Sequence, residues 1–130
     1  MNAPDALETL AGWLGRAEAV VVGAGAGLSA SAGYEYGGAR FRRLFPDFAA
    51  ARRYADFLDR TEKARTLFLD LGSGWNTPGI FKVPFWRMTL RRPEARYACV
   101  NLEPDQLPAE LGDRAVHVAS DIGAALARLA

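Results

Sequence analysis

The sequence predicts an α/β fold: an open parallel sheet of about four strands with helices on both faces. Three observations carry this. Short, mostly apolar runs, such as Val20-Val21-Val22 and Thr66-Leu67-Phe68-Leu69-Asp70-Leu71, read as strands covered on both sides. Segments with helical spacing lie between most of them, and strands alternating with helices form parallel sheets. Two of the strands run directly into glycine and serine loops, Gly23 to Ser29 and Gly72-Ser73-Gly74. The 130 residues suit one domain over residues 1–130.

In chain order, residues 4–16 read as an amphipathic helix. Pro4 suits its first turn, Asp5 and Glu8 its positive end, and Leu7, Leu10, Trp13 and Leu14 share a face. Ala19 to Val22 is a strand too uniformly apolar to be half-exposed. The loop that follows leads into a short helix over Leu28 to Ala32. Gly33-Tyr34-Glu35-Tyr36-Gly37-Gly38 reads as a loop, able to close over a ligand or simply to lie on the surface.

A helix starting at Pro46-Asp47 runs through about Leu58, with Phe48, Tyr54, Phe57 and Leu58 on its apolar side. Thr66 to Leu71 is the second strand. Pro84 to Leu90 reads as a short helix, with Phe85, Met88 and Thr89 near one face. Tyr97 to Val100 is the third strand and Ala115 to Val118 the fourth, with a turn of helix over Leu107 to Leu111 between them. Ser120-Asp121 caps a last helix, Ile122 to Leu129. Neither an internal repeat nor a low-complexity tract is present.

Composition narrows the function classes. A formal net charge of +1 gives no global argument for nucleic acid as a partner. Between Arg40 and Arg65, eight basic residues face four acidic ones, a local excess that suits an anionic ligand or a solvated surface. Cys99 is the single cysteine and His117 the single histidine. An intrachain disulfide, a cysteine-based zinc site and any mechanism needing two histidines of one chain are thereby excluded. No apolar run is long enough for a membrane span, and the first residues lack the pattern of a signal peptide. A cytoplasmic protein is the expectation.

Binding chemistry gathers at the loops. A strand that ends in glycines and opens a helix lets backbone N–H groups approach a phosphate, and the helix adds its unpaired donors and its dipole. Gly25, Ala26, Gly27 and Ser29 are the candidates there, with Gly72 and Ser73 at the second strand end. Asn76 and Thr77 carry side chains able to bond ribose hydroxyls or to cap their own loop. Asn101 and Glu103 follow the third strand, where ligands of open parallel sheets sit. Asp121 suits either a ribose or base contact or a helix cap. His117 reads as a strand residue, Cys99 as a small buried apolar one, and Trp75 and Trp86 as packing residues.

Gly25-Ala26-Gly27-Leu28-Ser29-Ala30-Ser31-Ala32-Gly33 resembles the opening NAD-binding motif of sirtuins, the NAD-dependent deacylases. The surroundings look closest to the small microbial branch linked to macrodomains, whose members transfer ADP-ribose. Gly72-Ser73-Gly74 stands where sirtuins carry a strand-end Gly-Thr-Ser, and the run Leu71 to Gly79 is particularly like that branch. Asn101-Leu102-Glu103 stands where they carry Asn, one residue and an acid, beside the adenosine ribose. Ser120-Asp121-Ile122 resembles their last loop, against the adenine. The resemblance implies a Rossmann-like core binding NAD or ADP-ribose, an adenine dinucleotide, through Gly25, Ala26, Gly27, Ser29, Gly72, Ser73, Asn101, Glu103 and Asp121.

The departures matter as much. The family's Thr-x-Asn-x-Asp strand, its catalytic histidine and its usual zinc module have no counterpart between Leu58 and Thr66, and His117 lies in the wrong motif. What resembles a sirtuin is a nucleotide-binding core without its catalytic middle. No zinc and no deacetylase activity are therefore expected. Of the family's sheet order 3-2-1-4-5-6, the order 1-4-5-6 would remain, with the first strand on an exposed edge. A homodimer through that edge is expected. Two other readings stay open: a shortened ADP-ribosyltransferase that still cleaves NAD, with Glu35 as its acid, and a structural or partner-binding remnant whose nucleotide loop is empty.

Overall fold

The computed structural model describes residues 3–24, 48–72, 82–103 and 107–130. Helix α1 (Ala3–Arg16) places Asp5 in its first turn and Arg16 in its last, each complementing the helix dipole. Strand β1 (Ala19–Ala24) follows, then α2 (Phe48–Arg60), β2 (Thr66–Leu71), α3 (Lys82–Arg91) and β3 (Arg96–Asn101). A kinked 3-10 segment (Ala109–Arg114), β4 (Ala115–Ala119) and α4 (Ile122–Leu129) complete the order.

The four strands form one parallel sheet in the order β1-β2-β3-β4. This is the α/β architecture that the apolar strands predict. Neighbours in sequence are neighbours in space, so every crossover steps the same way across the sheet. Crossovers of one hand then put their connections on a single face. The packing agrees. On that face Val21, Phe68, Tyr97 and Cys99 meet Phe85 of α3 and Leu111, with Phe57 and Leu58 of α2 at the margin. On the opposite face Leu67, Leu69, Leu71, Ala98, Val100, Val116 and Val118 pack under Ala6, Leu7 and Leu10 of α1 and Ile122 and Ala125 of α4.

Two guanidinium groups finish the helices on the first face. Arg92 donates to the Leu58 and Thr61 carbonyls at the end of α2, at 3.1 and 3.5 Å. Arg114 donates to the Thr89 and Arg92 carbonyls at the end of α3, at 2.8 and 2.9 Å. Both bring positive charge to a helix C-terminus whose last carbonyls have no partner within the helix. The kink before β4 turns on Gly112, whose φ of +54° is a conformation that side chains with a Cβ rarely adopt.

Some expectations shift. β1 continues two residues beyond Val22, through Gly23 to Ala24, so the first of the loop glycines belongs to the strand. It is also half-exposed, not buried: Ala19, Val21 and Gly23 are covered, while Val20 is 38% and Val22 54% exposed. The reason is its place at the sheet margin. Val20 and Val22 pair with Leu67 and Leu69, on the face that α1 and α4 cover further in. Among the described residues no strand pairs with the outer side of β1. Helix α2 ends two residues later than expected, at Arg60, and its expected start at Pro46-Asp47 lies outside the described residues. Helix α3 begins at Lys82, which leaves Pro84 in the first turn, where its missing N–H costs nothing. Its buried face is Lys82, Phe85 and Thr89; Met88 is partly buried against the same core.

Candidate functional site

Parallel strands bring their C-terminal ends to one side of the molecule, and the stretches singled out in the sequence follow those ends. Register sets them next to one another: Ala24 beside Leu71, Leu71 beside Val100, and Asn101 beside Ala119. The lacing continues past the strands. Gly72 N–H donates to Val100 O at 3.0 Å, and Ser120 N–H donates to Asn101 O at 3.1 Å. Gly72 turns the chain off the sheet with φ +78°, which a residue with a side chain would adopt only under strain.

Among the expected site residues, Gly72, Asn101, Glu103 and Asp121 are described: Gly72, Glu103 and Asp121 follow the ends of β2, β3 and β4, while Asn101 is itself the last residue of β3, which runs one residue past the expected Val100. Gly25, Ala26, Gly27, Ser29 and Ser73 lie outside the described residues, as do Glu35, Asn76 and Thr77. Glu103 is exposed. Asp121 caps α4: its Oδ2 accepts from the Ala124 N–H at 3.0 Å. Asn101 is half-buried, and both ends of its amide are engaged. Its Nδ2 donates to Cys99 Sγ at 3.4 Å, and its Oδ1 stands 2.8 Å from His117 Nε2.

Behind Asn101 runs a polar chain that sequence reasoning missed. Asp70 on β2 and Lys82 at the start of α3 form an ion pair, Nζ to Oδ2 3.2 Å, with both side chains fully buried. Tyr97 O–H donates to the same Oδ2 at 2.8 Å. The Lys82 ammonium also reaches Cys99 Sγ at 3.7 Å. Side chains from β2, α3, β3 and β4 are thus linked in one run: Asp70, Lys82, Cys99, Asn101, His117. Two signals for it were present. Asp70 is the one charge in a strand buried along its whole length, and a buried charge needs a partner. Lys82 places a cation in the first turn of a helix, where the dipole disfavours it unless an anion is at hand. Cys99 and His117 are accordingly not isolated strand residues.

A cleft at the other end of the sheet is lined by Trp13, Arg16, Arg65, Glu94 and Arg96. Arg65 there is occupied by the Arg16 carbonyl at 3.0 Å and by Glu18 at 3.6 Å. Ligands of open parallel sheets sit at the opposite, C-terminal ends, so the cleft is set apart from the candidate site. Among the described residues no three of His, Cys, Asp and Glu gather as metal ligands, and no helix is long and apolar enough to cross a membrane.

No protein-family model matches the chain. A curated protein of Staphylococcus aureus (strain Mu50 / ATCC 700699), named protein ADP-ribosyltransferase, is 34% identical over 74 residues. The match takes in 57% of this chain and 24% of that protein, so the chain aligns with about a quarter of its relative's length.

Proposed function

We propose that this chain is a sirtuin-like nucleotide-binding module that takes NAD or ADP-ribose at the C-terminal end of its sheet and has no deacetylase activity. The observation that carries the reading is the adjacency just described: three of the four motif stretches follow neighbouring strand ends, laced by the Gly72 and Ser120 N–H bonds. Similarity to a protein named ADP-ribosyltransferase supports the same ligand class. In this reading Gly25, Ala26, Gly27, Ser29, Gly72 and Ser73 hold the diphosphate, Asn101 and Glu103 face the adenosine ribose, and Asp121 borders the adenine. Calorimetric titration with NAD, ADP-ribose and AMP tests it. Binding is the expected result, with ADP-ribose about as tight as NAD. No heat at millimolar ligand overturns the reading and leaves a partner-binding remnant.

The relative's name also favours a second reading, in which the chain transfers ADP-ribose itself. Nicotinamide release above background would establish that reading. Glu35→Gln would then show whether the acid of the tyrosine-rich stretch takes part.

For a partner, the proposal is a second copy of this chain on the outer edge of β1. About a two-fold axis at Val21, two β1 strands run antiparallel and set Val20 of each copy opposite Val22 of the other. Those are the strand's two exposed valines, and β1 carries no charge or proline that would discourage pairing.

A further inference from the structure

His117 is the only histidine of the chain, and its half-buried ring meets the polar run at one nitrogen. The two ends of that run differ in kind. An ammonium group only donates hydrogen bonds, so Lys82 presents donors to Asp70 Oδ2 and to Cys99 Sγ. The sulfur facing it is an acceptor, and a second donor, Asn101 Nδ2, approaches the same atom at 3.4 Å. With its amino group on sulfur, Asn101 has only its carbonyl oxygen left for His117, 2.8 Å from Nε2. Two acceptors do not bond, so Nε2 carries the proton. In the neutral ring Nδ1 is then a bare lone pair, and it makes no hydrogen bond among the described residues.

We infer that Lys82, Cys99 and Asn101 are positioning residues that hold His117 as its Nε2–H tautomer, so that Nδ1 is offered as a hydrogen-bond acceptor to a ribose hydroxyl of the ligand. The hydroxyl half of this inference rests on the nucleotide reading above; the tautomer half does not. A bare imidazole nitrogen suits an O–H donor and repels phosphate oxygens, which fits the sugar and not the diphosphate. The ammonium makes the sulfur an acceptor toward Lys82, and the Asn101 amino group, donating to the same sulfur, sets the direction of the last bond. Asp70 in turn fixes the ammonium with its carboxylate, which Tyr97 also grips.

A single histidine makes the test direct. Long-range proton–nitrogen correlation spectra of the 15N-labelled protein, recorded at alkaline pH, show which ring nitrogen carries hydrogen. One Nε2–H tautomer is expected, with Nδ1 far downfield as a bare nitrogen; a dominant Nδ1–H form overturns the assignment. Cys99→Val removes the acceptor and should leave a mixture of tautomers, whereas Cys99→Ser restores an acceptor and the single form. Circular dichroism on both variants confirms that they are folded. A single tautomer unchanged in folded Cys99→Val removes the cysteine's positioning role.

ADP-ribose is then added to the same sample, with binding followed by calorimetry. Upfield movement of Nδ1 on binding is the expected result, and binding that leaves Nδ1 unmoved overturns the hydroxyl contact. The counterpart with hypoxanthine in place of adenine keeps the ribose hydroxyls but lacks the amine, and should give the same movement. If it binds without moving Nδ1, the donor is the adenine amine and not the sugar. Absence of any binding defeats the nucleotide reading and the hydroxyl contact together, while the free protein has already decided the tautomer.

Discussion

Replacing Lys82 by Met removes one half of a fully buried ion pair while keeping most of its volume. Asp70 would stay where it is, at zero exposure, with the Tyr97 hydroxyl at 2.8 Å as a remaining donor but without the cation at 3.2 Å. Neutral hydrogen bonding does not compensate a buried carboxylate that has lost its counter-charge. Breaking such a pair from one side costs about 3–5 kcal/mol, and removing both charges together is often close to neutral. The single variant K82M is therefore expected to lose about 3–5 kcal/mol of stability. The double variant D70N/K82M should recover most of that loss, since the amide oxygen introduced by D70N would still accept from Tyr97. Urea unfolding followed by circular dichroism measures both. With a slope of about 2 kcal/mol per molar, the midpoint of K82M should fall by about 2 M. The pair's coupling, taken from the complete cycle, should be several kcal/mol. Two results would refute the reasoning: a single variant within about 1 kcal/mol of the natural protein, or a double variant as unstable as the two singles added.

Three further expectations follow from local geometry. Asp121→Ala removes the acceptor that holds the Ala124 N–H and should cost about 1 kcal/mol by chemical unfolding, with Asp121→Asn close to neutral. Val22→Lys places a charge at the more exposed of the two exposed valines of β1; if β1 joins two copies, light scattering should show the natural protein as a dimer and the variant as a monomer. Tyr54 has its pKa raised above 10.0, chiefly by burial, with the Arg92 charge pulling it down. A raised value means that the folded state holds the phenol proton more tightly than the unfolded chain. Its contribution to stability is fully present below the unfolded value and is lost as pH rises through the folded one. Ultraviolet titration against Tyr54→Phe should locate this transition above pH 10.0, and Arg92→Ala should move it higher still.

The sheet was legible because its signal is redundant. Four separate apolar runs each name a strand, and the intervening helical spacing makes their direction parallel. Asp121 was legible as a cap because the cause is local, an acidic side chain one residue before a helix. Exposure of Val20 and Val22 was not. Three β-branched residues in a row look the same at the margin of a sheet as in its centre, and only the strand order, which the family resemblance implied with the first strand at an edge, separates the two cases. Asp70–Lys82 was missed for a related reason: its members are twelve positions apart, and a lysine near a helix start reads as surface until the aspartate is seen facing it. Asn101 was recognised as standing at a strand end. Its amide is nonetheless shared between Cys99, two residues back on the same strand, and His117, a contact that depends on the β3–β4 register.

The one-way march of the strands has a consequence for how the chain is made. Among the described residues, α2, α3 and the 3-10 segment pack on one face and α1 and α4 on the other, and α1 packs chiefly against β4 and its neighbours. Leu7 and Leu10 are synthesised about a hundred residues ahead of Val116 and Val118, which share their core. At about 5–20 residues per second, that apolar stripe has no completed β4 to cover it for about 5–20 s. During that interval the nascent helix, with its leucines uncovered, is a natural point of engagement for a chaperone.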